Sequence, residues 1–538
     1  MKGFHNFWVT CFYNKRTNNW DMLWIDEYFE GNGFDSLVRT IKNNAVDKTR
    51  QYIVFINDLT YYSSYLPGTE KGEKRFINGD KDIMEKNFSN IQFRNFKLFM
   101  PNYSEEILEK EKMPSSFMRD YLKALHYTEE PEDCRYTFGH VFQHKIIDPA
   151  TRRTLKEDIL KSHRNIWNEG MYNRLICGNK SGLTCPVQES FVIDDCDIYD
   201  ENSAYSSIIT SDNMFPIGQV IEHTGDMVLR AFEEAKKRGL WFKFYIPEDV
   251  KVPDCFYRFQ DSKSKGIGIE YYDFKLLIDC DIMTKKHFIN AIKKIQDKVT
   301  FMCAIPGYLH PFFREKQLEL YVKKHQLPPG LERDIVKMGL EIMYGKGLQY
   351  REFSDCKQIP GFFTDGLHYF LPHMALHCTS AARYKLAMML HKAGKNVFYF
   401  DTDSVHGKGK ELENAIEEAN KEQMFLNKLS GNETDIGCWK TEHEHSVEMI
   451  SATKRRIVYD GKWTTKVSGI NKKYVLEHIE KLKSLGLDVY DIIEYFMTKG
   501  FGDVEIDVFY KGDRKIYVRK KKYSQYERVH KSESRTNC

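Results

Sequence analysis

Hydrophobic and polar positions alternate with period two at the start of the chain and change to helical spacing further on. "NFWVTCFYN" and "DMLWIDEYF" read as strands, "FDSLVRTIKNN" as a helix, and the apolar run "QYIVFIND" as a strand of parallel type. An α/β domain at the N-terminus is the expectation. Residues 68 to 170 carry more charge, and there the pattern supports only helices. From residue 191 the signals sharpen: "SFVIDDCDIYDENSAY" alternates as a strand, then enters a turn and a helix, and a mixed stretch follows over 215 to 315. "LPPGLERDIVKMGLEIMYGKG" reads as a helix opened by prolines and closed by glycine. "TSAARYKLAMMLHKAGKN" reads as a helix capped by Thr379 and stopped at Gly394, and it feeds the strand "NVFYF". The helix "ELENAIEEANKEQMFLNKLSG" places Leu412, Ala415, Ile416, Ala419, Leu426 and Leu429 on one core-facing side. Two short helices, "VLEHIEKLKSLGLDVYDIIEYFMTKG", precede a tail carrying Arg514, Lys515, Arg519, Lys520, Lys521, Lys522 and Arg528. No internal repeat or low-complexity linker interrupts the pattern.

Composition narrows the class. A chain of 538 residues is long enough for three or four units at roughly 150 residues each. Its hydrophobic share of 41%, with 14% aromatic, fills a real core and excludes a disordered chain. The net charge of +3 comes from 80 basic and 77 acidic residues, so overall charge does not identify a polyanionic partner. Twelve cysteines occur with no CxxC pair, which fits inert thiols in a reducing compartment. The opening "MKGFHNFWVTCFYN" makes a poor signal peptide, and no run reaches the roughly 18 apolar residues of a membrane span. A cytoplasmic protein with no membrane partner is expected.

The chemistry starts at "YFDTDS", where Asp401 and Asp403 crowd a strand end. Carboxylates that close raise each other's pKa unless a cation compensates them. A solvated hairpin turn would contain the same residues, and so would the acid-x-acid metal clamp of a sugar-nucleotide transferase. A second acidic strand end lies at Asp200 in "CDIYDENSAYSS". Two such ends side by side would offer hard oxygen ligands to Mg²⁺, and two ions about 4 Å apart support in-line phosphoryl displacement. Lys337, Glu341 and Tyr344 share a helical face at offsets of four and seven. That face suits a nucleotide, or it is an ordinary surface Lys/Glu pair.

Taken in order, these pieces resemble a family B DNA polymerase. "DENSAYSS" is similar to its motif A, "KMGLEIMYG" to motif B and "YFDTDS" to motif C. "IGCWKTEHEHSVEMISATKRR", with Gly437, Trp439, Glu442 and Lys454, and "KVSGI", with Lys466 and Gly469, resemble the protein-primed branch found in small linear phages and linear plasmids. The resemblance covers about residues 170 to 475. It implies a right-hand polymerase of palm, fingers and thumb, mixing α/β and α+β parts, behind an RNase H-like exonuclease-type domain. The implied domains are 1–170, exonuclease-like; 171–215, palm with motif A; 216–315, an insertion that docks a terminal protein; 316–350, fingers; 351–375, a shortened second insertion; 376–470, palm with motif C; and 471–538, thumb and basic tail. The implied partners are template and primer DNA, dNTPs and a terminal protein primer, in the host cytoplasm if the chain is phage-encoded. The implied cofactor is a pair of Mg²⁺ ions, with Mn²⁺ as the alternative.

The same resemblance assigns roles. Asp200 and Asp403 would hold metal, with Asp401 a supporting acid near the primer end. Tyr205 would stack under the incoming sugar and exclude a 2′-hydroxyl. Lys337 and Lys323 would hold the triphosphate, Tyr344 would close on the nascent pair, and Lys454 would contact the primer terminus. Departures from the family pattern are specific. Glu341 and Ile342 replace the usual Asn and Ser of motif B, Ser206 replaces a Pro in motif A, and the linker motif is reduced to "CGNK" at Cys177 to Lys180. The expected exonuclease acids are missing: the opening strand "FWVTCFYN" has no Asp-x-Glu, and "INDLTYYSS" has Tyr62 where a metal-binding Asp would stand. Proofreading is therefore expected to be absent. Nucleotide addition with little template use, and a non-catalytic nucleic-acid-binding module on a polymerase fold, remain the alternatives.

Overall fold

The computed structural model describes residues 8–14, 19–25, 51–56, 59, 73–75, 83–89, 91–95, 169–178, 182–185, 189–211, 214–261, 265–309, 311–345, 372–468, 470, 472–501, 508–511 and 514–517. The chain divides into two compact units, one of residues 1–169 with 315–372 and one of 170–314 with 373–538.

The first unit holds a sheet of order β2-β1-β3-β6-β5-β4. Its strands are β1 (Trp8–Asn14), β2 (Asn19–Ile25), β3 (Gln51–Ile56), β4 (Glu73–Arg75), β5 (Ile83–Phe88) and β6 (Ile91–Asn95). β3 runs antiparallel to β1 and parallel to β6, so the apolar run is of parallel type on one side only. β4 to β6 correct the expectation of helices alone after residue 68. The charge there misled, because Lys86 on β5 is itself buried, alongside Ile91 and Phe93 of β6. The helix expected over 34–44 and Tyr62 lie outside the described residues.

In the second unit, α1 (Glu169–Ile176) leads to β7 (Phe191–Glu201) and α2 (Ala204–Thr210). The insertion folds as β8 (Phe215–Pro216), β9 (Ile221–Thr224), α3 (Met227–Lys237), β10 (Trp241–Pro247), β11 (Gln260–Asp261), β12 (Gly266–Glu270), α4 (Tyr271–Asp279), α5 (Lys285–Ile295), β13 (Thr300–Ala304) and β14 (Pro306–Gly307). Its antiparallel sheet, β11-β12-β10-β13-β9, has its own aromatic core, in which Phe232, Phe242, Phe244, Phe274, Phe288 and Phe301 meet at mostly edge-on angles. Such geometry adds to area burial in holding the rings. The glycines of β12 have a purpose: any Cβ at Gly268 would overlap the carbonyl of Cys177.

Two helices follow, α6 (Pro311–Gln326) and α7 (Leu331–Gly345), then α8 (Pro372–Ala393), β15 (Val397–Asp401), β16 (Ser404–Gly407), α9 (Lys410–Leu429), β17 (Trp439–Ala452), β18 (Arg455–Tyr459) and β19 (Trp463–Val467). The chain continues through α10 (Lys472–Ser484), α11 (Val489–Lys499), β20 (Val508–Lys511) and β21 (Arg514–Tyr517). α10 and α11 pack Val475, Ile479, Ile492, Ile493 and Phe496 against Met449 and Ile457 of the central sheet. Arg514 and Lys515 lie on β21, while the other basic tail residues lie outside the described residues.

Two expectations need correction. Thr379 does not cap a helix: α8 starts at Pro372, and the Thr379 hydroxyl donates to Leu376 O inside it. The sequence Pro-His-Met-Ala-Leu-His already suits a helix with proline in its first turn. In α9, Leu412, Ala415 and Ile416 are buried, but Leu429 is 62% exposed. The second half of the helix buries Gln423 and Asn427 instead, which bond each other, and Asn427 also bonds the carbonyls of Thr434 and Ile436.

Candidate active site

The central sheet of the second unit has the order β15-β16-β7-β17-β18-β19. β7 buries Ile193, Cys196 and Ile198 in one cluster and carries Asp200 as its penultimate residue, opposite Ser404 of β16. The Glu201 amide donates to Asp403 O at 2.7 Å, so Asp200, near the end of β7, and Asp403, in the turn just before β16, lie one residue out of register. β15 and β16 are joined by the two-residue turn Thr402-Asp403, in which Asp403 N–H donates to Asp401 O at 2.7 Å. Thr402 has φ +62°, a strained value for a β-branched residue. Strain of that kind costs about 1–3 kcal/mol and persists only where the surroundings enforce it. The enforcement comes from residues 182–185. Thr402 N–H donates to Leu183 O at 2.7 Å, Thr184 bridges Asp401, and Cys185 N–H donates to Phe400 O at 2.9 Å.

Burial, then the Asp403 and Glu442 charges, push the Asp200 carboxyl up to about 7. Burial, then Glu201 and Asp401, push Asp403 up to about 6. Lys466 pulls both down, and Arg456 helps at Asp200. Asp401 is only 3% exposed and already has partners, Lys466 Nζ at 3.4 Å and Lys454 Nζ at 3.6 Å. Its charge is met by protein cations, while burial and neighbouring like charges make the other two acids harder to ionise. A carboxylate pair with a surplus of negative charge is a donor set that a hydrated Mg²⁺ can use together with substrate oxygens. Among the described residues no group of three or more His, Cys, Asp or Glu side chains forms a cation cage, so the fit to Mg²⁺ rests on these two carboxylates.

Around the pair lie polar groups that the sequence did not single out. Glu201 is buried and pairs with Lys385 of α8 and with Ser207 Oγ at 3.3 Å. His406 and Glu448 are fully buried, with Nδ1 to Oε2 at 2.7 Å. Arg456 closes that group, its Nη1 3.5 Å from Glu448 Oε1, and Ser404 Oγ lies 3.3 Å from His406 Nε2. Lys385 sits inside a helix read only for its cap and its stop, and Glu448 in a segment whose singled-out residues were Gly437, Trp439, Glu442 and Lys454, so neither stood out.

Tyr205 is the second residue of α2, and burial followed by the Asp403 charge pushes its hydroxyl up. Lys454 is exposed at a turn with φ +60°, and its amide donates to Tyr399 Oη at 2.9 Å. The structure thus gathers Asp200, Asp401, Asp403, Tyr205 and Lys454 in the second unit. Lys323 on α6 and Lys337, Glu341 and Tyr344 on α7 belong to the first. Lys323, Lys337 and Glu341 are exposed and Tyr344 is half-buried, opposite a buried face of Ile335, Val336, Met338 and Leu340. The "CGNK" segment meets the insertion through Gly178, which packs on Gly268; Gly182 and Leu183, a few residues on, are the ones that touch the acid turn. No helix among the described residues is long and apolar enough to cross a membrane.

No protein-family model matches the sequence, and no curated protein matches it. In fold the chain is similar to Phi29 DNA polymerase in its ternary complex with primer-template DNA and incoming nucleotides, with 13% identity, TM-score 0.58 and coverage of 97% of this chain and 100% of that one. It is also similar, at 13% identity and the same coverages, to the Phi29 enzyme with primer-template DNA alone, TM-score 0.57, and with single-stranded DNA, TM-score 0.52. The chain has the fold of a DNA polymerase.

Proposed function

We propose that this chain is a DNA-directed DNA polymerase that adds deoxyribonucleotides by Mg²⁺-dependent phosphoryl transfer, starts from a protein primer and lacks proofreading. The observation that carries the reading is the pairing of Asp200 and Asp403 at the ends of adjacent strands, both holding protons far above the ordinary carboxylate range. In the reaction a primer 3′-hydroxyl loses its proton and attacks the α-phosphorus of a dNTP, and the bond to the β-phosphate oxygen breaks to release pyrophosphate. When bound, Mg²⁺ would supply activation of that hydroxyl and neutralisation of the leaving charge. Asp200 and Asp403 would hold the metal, and Asp401 would keep Lys454 and Lys466 at the edge of the site, where both can meet primer phosphates. Tyr205 would set the sugar pocket. Lys337 and Lys323 would meet the triphosphate, and Tyr344 the new pair.

Support for the missing proofreading is chemical: "WVTCFYN" on β1 has no carboxylate, and two metals cannot be held without one. Protein priming draws on the resemblance in residues 437–469 and on the insertion, whose separate core suits a docking domain. Template-free addition is the second reading, favoured by the exposed Glu341 on the Lys337 face.

Purified chain is given labelled dNTPs, Mg²⁺ and a primed template, then the primer alone. Extension should copy the template and fall by at least about 100-fold in Asp403→Asn, more than an outer-shell loss would give. Equal incorporation by the variant refutes the assignment, and equal product without template selects the second reading. A free terminal-protein hydroxyl that gains no nucleotide refutes protein priming. Mg²⁺-dependent release of nucleotides from a single-stranded 3′ end refutes the loss of proofreading.

A further inference from the structure

We propose that Lys385 is a positioning residue: it closes a ring of buried polar contacts that holds the end of β7, with Asp200, against the turn that carries Asp403. The proposal rests on the polymerase reading and deepens it.

The ring starts beside the acids. Glu201 follows Asp200 in β7, and its amide donates to Asp403 O at 2.7 Å. Its buried side chain takes the Lys385 ammonium from α8, which also donates to Gln423 Oε1 at 3.0 Å and lies 3.3 Å from Ser207 Oγ of α2. Gln423 passes the bond on from Nε2 to Asn427 Oδ1 at 2.9 Å, and Asn427 Nδ2 donates to Ile436 O at 2.9 Å. The same peptide group then returns to the acid strand. Gly437 N–H donates to Asn202 O at 2.7 Å, and Asn202 N–H donates to Cys438 O at 2.9 Å. Each side-chain amide accepts on one side and donates on the other, the arrangement in which neighbouring bonds strengthen one another.

The ring has little slack. Gly437 has φ +79°, and a Cβ there would lie 2.5 Å from Ser207 Cβ and 2.9 Å from Gln423 Cδ. The Asn420 side chain ties down the next residue but one, accepting from Trp439 N–H at 2.7 Å and donating to Trp439 O at 3.0 Å. Within the ring Glu201 and Lys385 carry charge, while Ser207, Gln423 and Asn427 are neutral. A buried carboxylate that loses its cation is costly, whereas a pair replaced on both sides by neutral groups is not. Without Lys385 the Glu201 side chain must turn towards water, and the backbone it moves is the one that carries Asp200 and reaches Asp403 O. Lys385 thus acts through Glu201 on the spacing of the two acids.

The test uses the full-length chain and a primed template in single-nucleotide additions of dNTP. Lys385→Met should lower kcat on the order of 10- to 100-fold, the scale of a misplacement of about 1 Å. KM for the dNTP should change by less than about twofold, because binding is kept while the reacting geometry is lost. Adding Glu201→Gln to it should recover kcat to within about fivefold of wild type, since the pair is then removed as a unit and the glutamine can still bond Ser207 and Gln423. Wild-type kcat in Lys385→Met, a loss carried by KM alone, or a double variant as slow as the single overturns the ring while leaving the polymerase reading intact. If Lys385→Met does not fold, Gln423→Met decides. It keeps the ion pair and the volume but cuts the ring, and it should lower kcat by about two- to tenfold, the range one hydrogen bond spans; wild-type kcat there overturns the proposal. A wild-type chain that extends no primer overturns both.

Discussion

Asp403→Asn should stabilise the metal-free protein while abolishing its activity. Asp403 rises from an ordinary 3.8 to about 6, and Asp200 from 3.8 to about 7. At about 1.4 kcal/mol per pH unit, ionising them in the fold costs on the order of 3 and 4 kcal/mol. Asp403 ionises first, and its charge then holds the proton on Asp200, so the two costs overlap. Both carboxyls also keep some contact with water, which screens the penalty. A net gain of about 1–2 kcal/mol for the variant at pH 8 in EDTA is the reasonable expectation. The sign follows from linkage. Both groups bind protons more tightly folded than unfolded, so the wild type is unpenalised below about pH 4 and loses stability as pH rises to about 7. The assay is thermal unfolding of both chains across pH 5 to 8 in EDTA, then with excess Mg²⁺. The variant should melt about 2 °C or more above wild type at pH 8, with a smaller gap at pH 5. Mg²⁺ should raise the wild type more than the variant, since only the intact pair binds it well. A variant that melts at or below the wild type at pH 8 in EDTA would show that the pair is not held under charge stress, and the argument for a cation there would fail.

Other consequences can be measured separately. Lys466→Gln removes a cation that favours ionised Asp200 and Asp403, so the rising limb of the pH–rate profile should move to higher pH by about half a unit; no movement would refute the compensation. Glu448→Ala leaves Arg456 and His406 without their buried anion and should cost about 3 kcal/mol in urea unfolding, with Glu448→Gln milder. Glu341→Asn removes a carboxylate from the Lys337 face, and a raised kcat for templated addition would mean that Glu341 restrains catalysis, whereas a fall would mean it has been recruited.

What the sequence shows of the fold depends on what each signal measures. Periodicity reports one-sided burial, so β7 was legible from its alternation, while α7 was legible from the prolines and glycine that bound it and β15 from the glycine stop before it. It failed where polar groups are buried. Lys86 on β5 made a strand look like solvated helix, and Gln423 and Asn427 took core positions that Leu426 and Leu429 were expected to fill. Capping signals failed at Thr379 for a related reason. A hydroxyl that can bond an N–H ahead of it can equally bond a carbonyl behind it, and here it bonds Leu376 O within a helix that began seven residues earlier.

The site divides along the same line. Acids at strand ends were visible because like charges so close need a cause, and the cause is local in sequence for Asp401 and Asp403. What makes the site workable is not local. Lys385 compensates Glu201, Arg456 compensates Glu448, and Leu183 holds Thr402 in a conformation that threonine avoids. Lys385 and Leu183 come from distant segments and Arg456 from the neighbouring strand, in the Leu183 case through a backbone carbonyl that any residue could supply. Side-chain chemistry therefore marks where charge must be handled, and main-chain geometry decides how. Gly182 sits where the two meet, legible in the sequence only as an unremarkable glycine and set in the fold by the absence of the atom it would otherwise carry.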